Sequence, residues 1–349
     1  MTQAIALKRI LERNGFSVKA ALIGTSSERQ IPDFVRANLG IPIVKFRSPN
    51  FVRDPEHKGL LIGATIWKDL LESPLLLGNL RIFRRSIREY QPVLIVNFYE
   101  PLLGLYLLAH RKRARVVSVA HQYLALHPEF EHPEGNWINR IALEVFTRVT
   151  ALRADLLLGL SFYPLGDDPD RRLFVVPPLL RREVRTLPPR EGAYLLIYLL
   201  NAGYKSEIVS WHERHPEVEL HCFTDDPKLV AEKRVDDTLT FHPLSGTKFL
   251  EMMAGARALV STAGFESICE GMYLGKPALV VPVEGHYEQY LNSRDAFRAG
   301  AGVYADHFDI DKLMQHLDAG HEPSDQFRAW ADQAEPIIIG HIRRLRLAT

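Results

Sequence analysis

Short apolar runs recur along this chain, and stretches of helical periodicity separate most of them. They fall at residues 18–23, 93–97, 116–120, 155–159 and 173–176, and again at 193–200, 218–223, 238–241, 258–261 and 277–282. Continuous apolarity, as at 173–176, 193–200 and 277–282, marks strands covered on both faces, although 218–223 and 238–241 alternate with polar residues. Strands of that kind with helices between them predict an α/β chain built on parallel sheets.

The helical stretches are read at 2–13, 61–89, 101–110 and 137–152, from the turn at 201–203 to about 214, and in a closing amphipathic segment at about 324–347. Asn14-Gly15 stops the first of these. Residues 177–190 are rich in Pro and Arg, lack periodicity and form the best linker. Two lobes follow, 1–180 and 181–325, with a closing helix at 326–349 expected to return to the first lobe. A doubly wound lobe normally opens on a strand. Here the chain opens on a helix, so either the first lobe lacks its first strand or residue 1 lies inside a longer reading frame.

With 349 residues the chain can bury two separate cores. The apolar run around 102–109 is too short to cross a membrane and ends in Arg111-Lys112-Arg113. Polar residues interrupt the amino terminus, which does not read as a secretory leader. Two cysteines, Cys222 and Cys269, give no disulfide framework, and a reducing cytoplasm is the expected compartment. The net charge of +1 conceals an asymmetry. Residues 1–190 carry 28 Lys and Arg against 18 Asp and Glu, while the remainder carries 15 against 24. The basic half has no base-reading motif or aromatic platform, which argues against nucleic acid. An anionic membrane surface or a phosphorylated lipid acceptor fits it better. Helix 75–88 mixes Leu, Ile and Arg, so it can meet lipid head groups or pack as an ordinary outer helix.

Chemistry concentrates between Ser261 and Asn292. The stretch STAGFESICEG at 261–271 reads as a strand end, a small-residue turn and a helix start. Backbone N–H groups at a helix amino terminus form an anion site suited to a diphosphate. Gly264 leaves room for close backbone approach. Glu266 and Glu270 lie four apart on one helix face, where one can accept hydrogen bonds from ribose hydroxyls. A plainer alternative is a simple turn with solvated glutamates. The next strand delivers PVEGHYEQYLN at 282–292 to the same sheet edge. There Glu288 offers acceptors and Gln289 both donors and an acceptor, a combination matched to vicinal sugar hydroxyls.

Together these stretches resemble the donor-binding half of GT-B glycosyltransferases, which have two Rossmann-like lobes. They are most similar to relatives of the lipid II-forming N-acetylglucosaminyltransferase, a family 28-like group, and to bacterial and archaeal relatives of unassigned acceptor. The resemblance is strong over about residues 240–305 and weaker but colinear elsewhere. It implies that Glu270 grips the nucleotide ribose and that Glu288 and Gln289 touch the donor sugar. It also implies that Thr262, Ala263 and Gly264 face the diphosphate, although the family often has a second glycine where Ala263 stands. The base is expected near Pro243, Leu244 and Ser245. No metal or other cofactor is required.

The amino lobe matches more loosely. Glu100 stands at a strand end where relatives tend to carry an acid. His121 ends the next strand and is a candidate general base or acceptor ligand, with a loop-stabilising histidine as the plainer reading. His127 and His132 are irregularly spaced for a metal site with His121. Asp168 and Asp170 read as turn residues. Relatives begin with a strand and a glycine loop ending Gly-His. By that resemblance, the corresponding strand and loop would lie upstream of Met1.

The reading is a metal-independent hexosyltransferase taking a nucleotide-diphosphate sugar, UDP-linked by expectation, to a hydroxyl acceptor. That acceptor is expected to be lipid-linked or part of a cell-envelope glycan, with peripheral contact on the inner face of the membrane. Two alternatives stay open: a nucleotide-sugar 2-epimerase or hydrolase of the same fold, and an inactive nucleotide-sugar-binding protein.

Overall fold

A computed structural model describes residues 1–25, 31–48, 74–133, 137–190, 192–199, 202–226, 228–283, 285–320 and 325–345. They form two compact units, divided after Arg181, with the last helix belonging to the first. The amino-terminal part of the helix read at 61–89 and most of the preceding loop lie outside the described residues.

In the first unit, β1 (Ala21–Thr25) and β2 (Ile43–Arg47) pair in parallel. A second parallel sheet runs in order through β3 (Leu94–Asn97), β4 (Arg115–Ala120), β5 (Leu156–Leu160) and β6 (Leu173–Val176). Every residue of β5 and all but the first of β4 are buried, which explains why β5 is apolar throughout and β4 is apolar apart from Arg115 and the buried Ser118. The helices Pro101–Ala109 and Trp137–Thr150 pack together on this sheet. They cross closely at Gly104, where an added Cβ would stand 2.2 Å from the Val149 carbonyl oxygen. β2 was absent from the strands read above, because Lys45 and Arg47 interrupt its apolar run.

The closing helix is two helices, Asp325–Asp332 and Ala334–Arg344, broken at Gln333. Pro336 is the cause: it has no N–H to continue a helix from the preceding turn, yet it fits in a first turn. The second of these helices is tied to the first helix of the chain, Thr2–Arg13, where Asn14 Nδ2 donates to Glu335 Oε1 at 2.8 Å and Arg13 pairs with Glu335. His341 packs on Phe174 of β6.

The second unit contains β7 (Leu195–Leu199), β8 (Leu220–Thr224), β9 (Lys233–Arg234), β10 (Leu239–Pro243), β11 (Ala258–Ser261), β12 (Ala278–Val280) and β13 (Gly302–Tyr304). Their spatial order is β13-β12-β11-β7-β8-β10-β9, and all pair in parallel except β9. The chain therefore builds outward from β7 through β8 and β10, then crosses back to add β11, β12 and β13 on the other side. That is the doubly wound Rossmann order, whose direction reverses between β7 and β11. Reversal sends the following helices to opposite faces and opens a crevice at the carboxyl ends of these two strands. One face of the sheet buries Ile197, Cys222, Phe241, Val260 and Leu279 under the helices Lys205–His212 and Ile310–Asp318. β13 is too short to be read as a strand from its sequence. Its pairing needs Gly302, at φ +138°, because a Cβ there would meet the Ala278 carbonyl oxygen at 2.3 Å.

Candidate functional site

The carboxyl edge of the second unit gathers most of the residues read as donor-binding. β11 ends at Ser261, and Thr262-Ala263-Gly264 turns into the helix Phe265–Tyr273. Gly264 is the cap residue, and no side chain caps this helix, so its positive end is left to the backbone. Ser267 Oγ donates to the Gly264 carbonyl at 3.1 Å and lies 3.2 Å from Ser261 Oγ, which fixes the turn against its strand. Gly264 has φ −80°. An added Cβ would make only ordinary contacts, 3.5 Å to Ser267 Oγ and 3.6 Å to the Thr262 carbonyl oxygen. Neither backbone strain nor packing demands glycine here.

The second loop follows β12 and enters the helix Tyr287–Arg298, capped by His286. Val283 N donates to Gln289 Oε1 at 2.8 Å, so the Gln289 carbonyl shapes its own loop and its amide N–H groups remain as the donors. Asn292, one turn further, is buried and donates from Nδ2 to the Ala263 carbonyl at 3.1 Å. That bond joins the two loops. Asn292 was missing from the candidate residues because nothing in its neighbourhood pointed to the turn after β11. Glu288 is half-buried beside Gln289. Glu270 is buried in the second turn of the helix Phe265–Tyr273, and Glu266 is half-buried in its first turn, where its charge complements the dipole.

Leu244 lies elsewhere along the edge. It is exposed after β10, with β7 and β8 standing between β10 and β11. Three strand spacings amount to about 14 Å. Pro243 is half-buried, and Ser245 caps the helix Gly246–Gly255. Between Leu244 and the turn after β11, Lys205 opens the helix after β7 and pairs with Asp226 after β8 at 2.5 Å. No sequence signal singled out this cation, because its partner is 21 residues away.

Behind the Leu244 loop lies a polar chain. His242 is buried against Phe223, with ring centroids 4.7 Å apart. Its Nε2 lies 2.9 Å from His221 Nδ1, and its Nδ1 lies 3.3 Å from Lys248 Nζ. Glu219 accepts from His221 Nε2 at 3.0 Å, and Glu232 pairs with Lys248. Burial, with the neighbouring Lys248 and His221, holds the His242 pKa down at about 4.

At the carboxyl edge of the first unit, Glu100 caps the helix Pro101–Ala109. Its Oε1 accepts from Leu102 N at 3.0 Å and its Oε2 from Ser48 Oγ at 2.9 Å. Burial raises its pKa. With both oxygens committed, the carboxylate serves the loop, which Asn97 braces through the Glu100 backbone. Tyr99, at φ +59°, turns the chain there and reaches Thr147 Oγ1 at 2.7 Å. His121 is buried at the end of β4, with Nδ1 2.7 Å from the Leu160 carbonyl oxygen. That bond requires the proton on Nδ1, so the lone pair of the neutral ring lies on Nε2. His127 bonds the Gly166 carbonyl at 2.7 Å and His132 the Ala125 carbonyl at 3.1 Å. Asp168 caps the short turn Pro169–Arg171.

The fold and the carboxyl-edge loops define a GT-B protein with two Rossmann-like lobes. Solved structures agree over nearly the whole chain. Arabidopsis thaliana UGT89C1 complexed with UDP-L-rhamnose superposes with a TM-score of 0.60 at 14% identity, covering 99% of this chain and 94% of that one. Acinetobacter baumannii MurG gives 0.55 at 14% identity, covering 98% and 95%. CalG4, the calicheamicin glycosyltransferase, gives 0.56 at 16%, covering 97% and 91%. A curated relative, an uncharacterized glycosyltransferase of Methanopyrus kandleri, is 25% identical over 145 residues, which are 38% of this chain and 42% of that protein's length. The family Glycosyl transferase family 1 matches residues 57–319, and the chain belongs to it. Among the described residues, no helix is long and apolar enough to cross a membrane.

Proposed function

We propose that this protein transfers a hexosyl group, without a metal ion, from a nucleotide-diphosphate sugar to a hydroxyl acceptor. A UDP-sugar is the donor we favour, and a lipid-linked or cell-envelope glycan at the inner membrane face is the acceptor. The observation that carries this reading is the Asn292–Ala263 hydrogen bond, which holds a helix-end turn and a sugar-matched loop together on one Rossmann edge. A donor laid along that edge would set its base by Leu244, its diphosphate by Thr262, Ala263 and Gly264, and its sugar by Glu288 and Gln289. Glu270 is assigned to the ribose and Glu266 to the mouth of the same helix end. The helix amino terminus, with Lys205 nearby, would stabilise the departing diphosphate as charge develops on it. His121, oriented by the Leu160 carbonyl, is the proposed base for the acceptor hydroxyl.

Calorimetry with UDP-, GDP- and dTDP-sugars tests the donor site. Binding of one class, lost in a Thr262→Val/Glu288→Ala variant, is the expected result, and binding by none of them overturns the reading. Assay with and without acceptor then separates transfer from the alternatives. Turnover lacking an acceptor identifies an epimerase or hydrolase, and binding with no turnover identifies an inactive binding protein.

A further inference from the structure

The residues that follow β10, from Leu244 to Thr247, are all exposed, so side-chain packing holds them weakly. The structure on either side is anchored. Before them, β10 is paired to β8, with Pro243 opposite Thr224. After them, Phe249 packs on Phe223 and Tyr198, with ring centroids 5.3 and 5.2 Å away, and the Met252 carbonyl accepts from the Tyr194 hydroxyl at 2.6 Å. Lys248 Nζ spans the exposed segment and reaches back to His242 Nδ1, 3.3 Å away. That contact closes Pro243-Leu244-Ser245 into a loop stapled by two side chains.

The chain of side chains behind this loop fixes where the protons sit. The Lys248 ammonium has donors alone, so His242 Nδ1 must accept. A neutral ring then carries its proton on Nε2, which donates to His221 Nδ1 at 2.9 Å. His221 in turn donates from Nε2 to Glu219 at 3.0 Å. Each link has one donor and one acceptor. Burial, then Lys248 and His221, hold the His242 pKa at about 4, so the ring keeps its Nδ1 lone pair at neutral pH. Glu232 Oε2 stands 3.7 Å from Nδ1, too far for a hydrogen bond, and pairs with Lys248 instead. We infer that His242 is a positioning residue for nucleotide selection: through Lys248 it preorganises Pro243-Leu244-Ser245, and this loop discriminates among donor bases. The inference rests on the proposed placement of the base at Leu244. A loop already in its bound shape loses less freedom on binding, and a shape matched to one base penalises the others. The turn proposed for the diphosphate lies three strands away, after β11, so its contacts should not depend on this loop.

Calorimetry of the full chain with UDP, GDP and inorganic pyrophosphate tests it, together with NMR of the histidine ring nitrogens. The unmodified chain should prefer one base. Lys248→Met, at a half-exposed site, should narrow that preference about tenfold and leave pyrophosphate affinity and the thermal midpoint unchanged. Lys248→Arg, which retains a donor, should keep the preference. His242→Gln retains a donor for His221 and loses the acceptor for Lys248, so it should match Lys248→Met. The two substitutions together should do no more than either alone, because they break one link. NMR should show His242 protonated on Nε2 and bare on Nδ1. An unchanged base preference in Lys248→Met, an equal loss for pyrophosphate, additive effects, or a proton on His242 Nδ1 overturns the inference and leaves the donor reading standing. Absence of nucleotide binding by the unmodified chain overturns both.

Discussion

Asn292 donates its side-chain amide to the carbonyl of Ala263 at 3.1 Å, across 29 residues of sequence and two strands of the sheet. Both partners are buried, so the bond is shielded from competing water. It fixes how far the turn after β11 stands from the helix that carries Glu288 and Gln289. Asn292→Ala should cost about 1–3 kcal/mol of stability, since it leaves the carbonyl unpaired. It should also weaken donor binding about tenfold. Denaturant unfolding and calorimetry measure the two effects separately.

Gly264→Ala provides a cleaner probe of the turn. The new methyl fits the protein without strain, so the unfolding midpoint should stay within about 0.5 kcal/mol of the parent. A fall in nucleotide-diphosphate affinity at unchanged stability would mean that ligand, not protein, occupies the space above the glycine. Unchanged affinity would remove Gly264 from the donor contacts.

Glu288 and Gln289 should separate by phenotype. Gln289→Leu removes the acceptor of Val283 N–H and should destabilise the second unit by about 1–3 kcal/mol. Glu288→Ala should cost less stability than Gln289→Leu and lower kcat/KM at least about tenfold, through contacts to the donor sugar.

Acid should unfold the second unit partly through His242. Its folded pKa, about 4, lies below the ordinary histidine value, so the fold favours the neutral ring. The resulting stability is complete above about pH 6.5, is lost as pH falls toward about 4, and amounts to at most about 3 kcal/mol. Chemical denaturation across this range should show the loss, and His242→Gln should flatten it.

Gly104→Ala should disrupt the first unit. Its Cβ would meet backbone at Val149, which cannot rotate away as a side chain can, so the two helices must separate. Helix propensity favours alanine by about 1 kcal/mol, yet the clash should win by a clear margin in thermal unfolding.

The apolar runs at β5, β7 and β11 were legible in the sequence because burial on both faces leaves little alternation to confuse. The small-residue turn at Thr262-Ala263-Gly264 was legible for a similar reason: strand end, turn and helix start are contiguous. β2 and β13 were not: Lys45 and Arg47 interrupt the apolar run of β2, and β13 is only three residues long, so each depends on the ladder beside it. The single closing helix failed at Gln333 although Pro336 was in plain view, because a proline does not announce whether it kinks a helix or starts one.

Local chemistry thus determined the class of fold, two α/β units, and the segment 261–292 as the place where ligand chemistry gathers. Tertiary structure decided which of its residues act on one another. It coupled Asn292 to Ala263, committed the Gln289 carbonyl to Val283, and divided the oxygens of Glu100 between a helix cap and the Ser48 hydroxyl. It also turned the apolar stripe of Trp137, Ile138, Ile141 and Val145 outward, where periodicity alone would place such a stripe inside. The physical reason is common to these cases. Strand and helix follow from neighbours in sequence, whereas hydrogen-bond partners and the direction a helix faces follow from neighbours in space.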